Sequence, residues 1–123
     1  MSYDPNNMRM LGRLLSANMN ITTDQQIGIG PTRYIIQAII VENASISLTT
    51  AAGGVYTAAA KGGTAVVAAG QVYSALTAAT KNLTLTLANS DTRTAQPLFF
   101  SLTTAQGAAA TADIYVFGYA LKD

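Results

Sequence analysis

The side chains that could carry acid–base or metal chemistry in this chain are its six carboxylates. They are Asp4, Asp24, Glu42, Asp91, Asp113 and Asp123. The sequence has no histidine and no cysteine, so the commonest general base and the Ser-His and Cys-His nucleophile pairs are absent. A calcium site needs clustered oxygen ligands and a glycosidase needs two carboxylates across one bond, but no spacing here favours either. We therefore expect no enzyme activity, no metal and no cofactor.

Two further motifs suggest chemistry, and neither is specific. Gly28-Ile29-Gly30 contains two glycines of a dinucleotide fingerprint, but a preceding strand and the third glycine are missing, and Pro31 removes an amide donor. Asn-x-Ser/Thr triplets begin at Asn20, Asn43 and Asn82, and chance produces such triplets in a threonine-rich chain. These motifs predict neither a nucleotide site nor glycosylation.

The chain is poor in charge. Charged residues make up 11% of its 123 residues, and the formal net charge is +1. Ordinary soluble domains contain roughly a quarter charged residues. This balance does not indicate a nucleic-acid partner. Two interpretations fit so neutral a surface: a small alanine-rich β-domain, or a surface largely covered by partner subunits. We favour the second, because charge is what normally keeps protein surfaces apart.

The uncharged segment 65–80 could be mistaken for a membrane span. It is mostly alanine and is interrupted by polar residues and a glycine, including Gly70, Gln71 and Ser74. A spanning helix needs about 20 strongly apolar residues. The first residues also lack the basic start and apolar core of a signal peptide. We expect a soluble protein with no membrane partner.

From Arg33 onward the sequence is typical of short β-strands separated by small-residue turns. Residues 34–41 are rich in β-branched side chains and predict a central strand. Residues 82–87 alternate leucine with threonine and predict a strand with one apolar face. For residues 71–80, a strand and an irregular crossing with a helical turn both remain open. Further strands are predicted at 45–49, 55–57, 64–68, 97–102 and 113–121.

One phrase occurs twice in this β-rich part of the chain. Residues 47–53 and 101–107 agree almost letter for letter, and each copy begins with Ser-Leu-Thr-Thr-Ala and ends in glycine. Each copy predicts a strand that runs into a turn, so we interpret the two as equivalent corners. Regularly spaced short strands predict an all-β fold, an antiparallel β-sandwich, and the matching corners favour a jelly roll over an immunoglobulin-like order. The predicted core contains Ile35, Ile39, Leu48, Val66, Leu83, Leu85, Phe99, Leu102, Ile114 and Val116.

Residues 1–30 differ from the rest and are predicted to be an N-terminal arm and linker ahead of a β-sandwich domain at 31–123. Met8, Leu11, Leu15 and Met19 fall at helical spacing, which predicts two or three helical turns. This apolar stripe either packs on the protein's own core or docks on a neighbouring subunit. In the second case Arg9 and Arg13 would contact carboxylates of that neighbouring subunit. The candidate partner-binding residues are Met8, Arg9, Leu11, Arg13 and Leu15.

Residues 43–56 and 101–118, which contain the two Ser-Leu-Thr-Thr-Ala phrases, resemble small virion proteins of tailed bacteriophages. The resemblance covers roughly residues 33–121 and implies a capsid decoration or cement protein. Such proteins often are small β-sandwiches that form oligomers on the outside of the phage head. The resemblance thus implies a virion protein made in the host cytoplasm. Its expected partners are the major capsid protein and further copies of itself, as a dimer or trimer.

Our first functional hypothesis is therefore a structural virion protein that decorates and stabilises a phage capsid by bridging major capsid subunits. On this hypothesis, deleting residues 2–20 should weaken capsid attachment and leave the sandwich folded. The alternative is a receptor- or glycan-binding module of a phage head or tail fibre. Loops at 88–96 and 103–112 are the candidates for that role, because loops on β-sandwiches often carry binding sites.

Overall fold

The computed structural model of the chain describes residues 8–77, 79, 81–94 and 96–121. These residues form eight β-strands and, over the same ranges, no helix, so the predicted all-β class is confirmed. The strands are β1 (Arg9–Asn18), β2 (Gln25–Ile29), β3 (Tyr34–Glu42), β4 (Ala52–Ala58), β5 (Gly62–Val67), β6 (Asn82–Thr84), β7 (Leu98–Thr104) and β8 (Thr111–Ala120).

All eight strands belong to one antiparallel sheet, in the order β5-β4-β7-β2-β1-β8-β3-β6. Four strand pairs account for all eight strands: β1 with β8, β2 with β7, β3 with β6 and β4 with β5. The pairs β1–β2, β3–β8 and β4–β7 connect these four pairs into a continuous sheet. The longest pairings, β1–β8 and β3–β8, join strands that are far apart in the sequence.

The sheet is curled, and the segment after β6 shows how strongly. The Leu85 amide donates to the Ile39 carbonyl of β3, and the Ala88 amide donates to the Val66 carbonyl of β5, both at 2.8 Å. Three residues span at most ~11 Å. In a flat sheet β3 and β5, six positions apart in this order, would be separated by ~29 Å. The two ends of the sheet must therefore curve towards each other.

The curled sheet encloses one hydrophobic core, and strand periodicity determines most of its members. Alternate residues of β8 are buried, as expected for a strand with one face on the core. The rings of Tyr73 and Phe100 meet edge to face, with centroids 6.2 Å apart. The predicted core residues that are buried are Ile39, Leu48, Val66, Leu85, Leu102, Ile114 and Val116, and Leu83 packs against them partly exposed.

The core prediction is wrong for two residues. Ile35 and Phe99 are only half-buried, whereas the neighbouring Ile36 and Phe100 point into the core and are 1% and 0% exposed. Successive residues of a strand face opposite sides, so only one member of an Ile-Ile or Phe-Phe pair can face inward. The pairs themselves do not show which member that is.

The predicted N-terminal helix is also wrong. Arg9–Asn18 forms β1, which lies between β2 and β8. Register shifts between Met10 and Gly12 and between Leu14 and Ala17 mark bulges against β8. An extra residue at a bulge interrupts the period of two, so apolar residues fall at a spacing that imitates a helix. The predicted boundary between residues 1–30 and 31–123 falls between β2 and β3, two strands of the same sheet.

The two copies of the Ser-Leu-Thr-Thr-Ala phrase have different conformations. The second copy begins as the end of β7, as predicted, whereas residues 45–51 lie outside the strands. The predicted strand at 45–49 is therefore wrong, and the copies are not equivalent corners. Leu48 is nevertheless fully buried, and its amide donates to the Leu76 carbonyl at 3.0 Å. The Leu48 side chain therefore belongs to the core although residue 48 lies outside the strands.

The remaining predicted strands are confirmed, with bounds that differ from the predicted ones by at most three residues. The strand predicted at 82–87 is limited to β6, because the chain after Thr84 leaves β3 and crosses towards β5. Of the two interpretations open for residues 71–80, the described part is an irregular crossing in which Val72 forms a single bridge to Ala52. Residues 78 and 80 of that segment lie outside the described residues.

Candidate functional site

An apolar surface lies on the side of β1, β8 and β3 that faces away from the core. Along β8, Ile114 and Val116 are fully buried, whereas Tyr115, Phe117 and Tyr119 point away from the core and are half-buried. The rings of Tyr115 and Phe117 lie side by side, with centroids 6.4 Å apart and planes tilted by 31°. This aromatic row forms the middle of the surface.

Cross-strand neighbours extend the aromatic row on both sides. On β1, Met10 is opposite Phe117 and Arg13 is opposite Tyr115. On β3, Ile40 is opposite Tyr115 and shares its face, because directly paired residues of adjacent strands point to the same side of a sheet. We call this surface the outer face, and it consists of Met10, Arg13, Ile35, Ala38, Ile40, Glu42, Asp113, Tyr115, Phe117 and Tyr119.

The outer face contains a shallow groove with a volume of about 400 Å³. It is lined by Met10, Arg13, Ile40, Glu42, Tyr115 and Phe117. Aromatic residues, methionine and arginine are enriched in protein interfaces relative to other surfaces. The groove is open to solvent, and its lining combines apolar and aromatic side chains with one arginine and one glutamate.

Two opposite charges flank this apolar centre. Arg13 lies on β1 and Glu42 lies on β3, so the two residues are on opposite sides of β8. Within the described residues neither side chain forms an ion pair, which leaves both available to a partner. The outer face is therefore apolar in the middle and charged at both sides, the usual distribution in a protein interface.

A second, smaller hollow lies in the loop between β6 and β7. Its volume is about 260 Å³, and it is lined by Thr57, Thr92, Arg93 and Thr94. The Arg93 backbone is held by Tyr34, with hydrogen bonds of 2.8 and 3.0 Å in the two directions. The Nε and Nη2 atoms of Arg93 are buried and have no hydrogen-bond partner among the described residues. These two donors form one edge of the guanidinium, the edge that binds carboxylates with two parallel hydrogen bonds.

The structure separates the five residues predicted to bind a partner through an N-terminal arm. Leu11 is 3% exposed and belongs to the core, so it is not on the surface. Met8 and Leu15 are about half exposed, at 53% and 48%, and Arg9 is exposed at the start of β1. Only Arg13 lies on the outer face. The apolar stripe is thus divided between the protein's own core and its surface.

Sequence reasoning missed most of the outer face, although one signal for it exists. The aromatic residues of β8 occur at every second position, 115, 117 and 119, which places them on one side of any strand. The sequence does not show that β1 and β3 both border β8. The contributions of Met10, Ile40 and Glu42 therefore become recognisable only from the order of the strands in the sheet.

The described residues contain no group of three or more acidic side chains that could hold a metal ion. They also contain no helix long and apolar enough to cross a membrane. No family model, no curated protein and no solved structure matches this chain. The resemblance to capsid decoration proteins stays a prediction.

Proposed function

We propose that the curled sheet is a jelly-roll β-sandwich, with β1, β8, β3 and β6 on one side and β2, β7, β4 and β5 on the other. The pairing of β1 with β8, β2 with β7, β3 with β6 and β4 with β5 supports this proposal. Eight antiparallel strands divided into two four-stranded layers are the architecture of a jelly roll. The short crossing from β3 to β5 after Leu85 brings the two sides together.

Methyl-to-methyl nuclear Overhauser effects test the proposed sandwich. Val116 and Ile39 belong to one proposed layer, and Val55 and Leu102 to the other; all four are fully buried. Two layers that face each other at ~10 Å bring such side chains into contact. We expect cross-peaks between the two pairs. An open sheet would give cross-peaks only between neighbours in the strand order.

We propose that the protein is a structural virion component that decorates a tailed-phage capsid by binding the major capsid protein and further copies of itself. The outer face carries this proposal: aromatic residues and Met10 form a broad apolar centre between two opposite charges. The low charge content of the chain supports it, because a surface with 11% charged residues is suited to being covered. The resemblance of residues 43–56 and 101–118 to phage virion proteins suggests the particle.

Decoration by such a protein stabilises a capsid through mass action. A protein that binds the assembled lattice and not the free subunits shifts the equilibrium towards the lattice. Each contact can be modest, because many copies are held close together on one particle. A chain of this kind needs a stable sheet and adhesive surfaces, and it needs no reacting group.

Co-expression with the major capsid protein of the same genome tests this function. Cryo-electron microscopy of the resulting heads should show regular added density outside the shell. Phe117→Asp places a charge in the centre of the outer face and should remove that density. Val72→Asp is the matched control, because Val72 is 56% exposed and does not belong to the outer face. Bare heads in the presence of the folded wild-type chain would contradict the proposal.

The Arg93 hollow favours a second candidate function, recognition of a ligand that bears a carboxylate, such as an acidic sugar. The two unpartnered donors of the guanidinium are the specific observation. They are buried, so a carboxylate reaches them only when the Arg93 side chain turns into the hollow, where the lining threonines add hydroxyl groups. Binding of acidic glycans on an array, lost in Arg93→Gln and retained in Arg9→Gln, would support recognition. Equal binding by both variants would exclude this site.

A further inference from the structure

We infer that the groove of the outer face binds a segment of the capsid protein that presents a basic side chain, lysine or arginine, to Glu42 and Asp113. This inference rests on the proposed function, in which the outer face contacts the major capsid protein. It goes beyond that function by naming the chemistry that the partner must supply and the end of the groove that receives it.

Two carboxylates lie side by side at one end of the outer face. Glu42 on β3 is directly paired with Asp113 on β8, so both side chains point to the same side of the sheet. Both residues are half-buried. Like charges directly opposite each other on adjacent strands destabilise a sheet. The free chain therefore carries a repulsion that a cation bound between the two carboxylates would remove.

The described part of the chain supplies no cation to this pair. The hydrogen bonds that the Asp113 carboxylate accepts come from neutral donors, the Ser16 amide at 2.7 Å and the Asn43 side chain at 3.1 Å. No ion pair joins Glu42 or Asp113 to another residue of the described ranges. An ionised carboxylate offers about four acceptor sites, so both groups keep sites for a donor from outside the chain.

Arg13, the cation of the outer face, lies to one side of this pair. It is paired with Tyr115, two positions along β8 from Asp113, and it is on the opposite flank of β8 from Glu42. Two positions along a strand are ~7 Å, and the strands on either side of β8 are ~10 Å apart. Arg13 is exposed, whereas both carboxylates are half-buried, so solvent screens its charge more than theirs. A basic partner therefore complements the acidic end of the face.

Lys81 also lies near this end of the sheet, on its other side. Its carbonyl accepts from the Asn43 amide at 3.4 Å, and the next residue, Asn82, is paired with Glu42. Successive residues of an extended chain point to opposite sides, so Asn82 shares the side of Glu42 and Lys81 takes the side of Leu83. Lys81 is therefore directed away from the two carboxylates.

The rest of the groove determines how a partner must present that basic residue. Glu42 and Tyr115 line the groove, and Met10 and Phe117 line its apolar part. Phe117 and Asp113 are four residues apart on β8, a distance of ~14 Å. A partner fits when an apolar side chain covers Met10 and Phe117 and a basic side chain reaches the carboxylates ~14 Å away. The Tyr115 ring lies between these points, and the face of an aromatic ring attracts a cation.

A titration of the full free chain with N-acetyl-arginine amide tests the inference without a capsid. The NMR signals of Glu42, Asp113 and Tyr115 should shift and saturate, with a dissociation constant on the order of 10 mM. N-acetyl-citrulline amide has nearly the same shape and no charge, so at matched ionic strength it should leave these signals in place. Glu42→Gln, first checked for a native spectrum, should weaken binding of the arginine probe by about fivefold or more.

Titration of purified bare heads with the chain tests the same contact in the assembly. Glu42→Gln should raise the dissociation constant for the heads by about fivefold, because one of the two carboxylates is lost. Arg13→Gln should lower it by about twofold, because a charge of the same sign as the partner's basic residue is removed. Asp91→Asn is the matched control: it changes the net charge as Glu42→Gln does, but it lies in the loop between β6 and β7. This control should change the constant by less than about twofold.

Signals that do not shift with the arginine probe, or that shift equally with the citrulline probe, would overturn the inference. Decorated heads that bind Glu42→Gln as tightly as the wild-type chain would overturn it as well and leave the virion function supported. Heads that stay bare with the wild-type chain, together with saturable binding of the arginine probe at Glu42, would contradict the virion function. That result would leave the binding of a basic side chain in the groove supported.

Discussion

Gln106 connects the two copies of the repeated phrase, although the copies differ in conformation. Its side-chain oxygen accepts hydrogen bonds from the Thr50 and Ala51 amides, both at 3.0 Å, and its side-chain nitrogen donates to the Thr49 hydroxyl at 3.1 Å. Its own amide donates to the Met19 carbonyl at 2.9 Å. Gln106 therefore supplies the hydrogen-bond partners that a neighbouring strand would otherwise supply to residues 49–51.

Replacing this glutamine should destabilise the fold. Gln106→Ala leaves the buried Ala51 amide without a partner, and an unsatisfied buried donor costs ~1–3 kcal/mol. We expect the free energy of unfolding in urea to fall by about 2 kcal/mol. Gln26→Ala on the exposed side of β2 is the control and should change it by less than about 0.5 kcal/mol. Equal losses in both variants would contradict this role of Gln106.

Tyr34 makes the stability of the protein depend on pH in alkaline solution. Burial raises the pKa of Tyr34 to about 12, and the charge of the Arg93 guanidinium opposes part of that rise. Burial also raises the pKa of Tyr73, whose hydroxyl donates to the Gly53 carbonyl at 3.0 Å. In the unfolded chain both phenols ionise near pH ~10. The unfolded state therefore loses protons first, and stability falls as the pH rises from about 10 towards 12.

Tyr34→Phe should flatten this alkaline decline, because phenylalanine has no proton to release in the unfolded state. Urea unfolding measured at intervals between about pH 9 and about pH 12 gives the slope directly. We expect a shallower slope than in the wild-type protein, with the remaining slope due in part to Tyr73. An unchanged slope would show that Tyr34 ionises equally in both states.

At the scale of elements, bulges decide how β1 and β3 fit against β8. The second bulge of β1 places Ser16 at a φ of 54°, and Asn43, just after β3, has a φ of 58°. The Asp113 carboxylate, between them on β8, accepts from the Ser16 amide at 2.7 Å and from the Asn43 side chain at 3.1 Å. A single carboxylate thus satisfies donors from both neighbouring strands, which accounts for its place on this strand.

Gly118 marks a place where β3 approaches β8 very closely. A Cβ atom at this position would lie 1.9 Å from the Ile35 carbonyl oxygen, beside the bulge of β3 between Ile36 and Ala38. Gly118→Ala should therefore lower the unfolding free energy by more than about 2 kcal/mol, because the backbone must shift. Gly70→Ala is the control: nothing lies within 4 Å of the added atom, and the change should be neutral or slightly stabilising. Thermal unfolding of both variants measures the difference, and a stable Gly118→Ala protein would contradict the close approach.

At the scale of the whole molecule, the N-terminal segment is part of the scaffold. β1 pairs with β2 on one side and β8 on the other, and it contributes Leu11 and Ala17 to the core. Deleting residues 2–20 removes this strand and separates the two halves of the sheet. We expect the truncated chain to lose its dispersed NMR spectrum, in contrast to the folded sandwich that an arm at these positions would leave.

Deleting residues 2–7 instead leaves all eight described strands intact and is the control for this truncation. The shorter deletion should retain the native spectrum and the wild-type unfolding midpoint. A well-folded chain lacking residues 2–20 would show that β1 is dispensable, and it would support a peripheral arm at these positions.

The all-β class and most strand positions were predictable from the sequence. Runs of β-branched residues favour strands, and leucines at every second position fall on one face of a strand. The absence of histidine and cysteine from the sequence likewise excludes whole classes of nucleophile by composition alone. The repeated phrase indicated two related segments, and Gln106 does bring them into contact.

Only the tertiary structure decided which strands are neighbours, and the outer face depends on that. Arg13, Glu42 and Tyr115 are far apart in the sequence and share a surface because β1 and β3 both pair with β8. The bulges of β1 conceal its strand character, since an inserted residue shifts the facing of every residue after it. Long-range strand pairing and bulges are properties of the assembled sheet, so local periodicity in the sequence does not predict them.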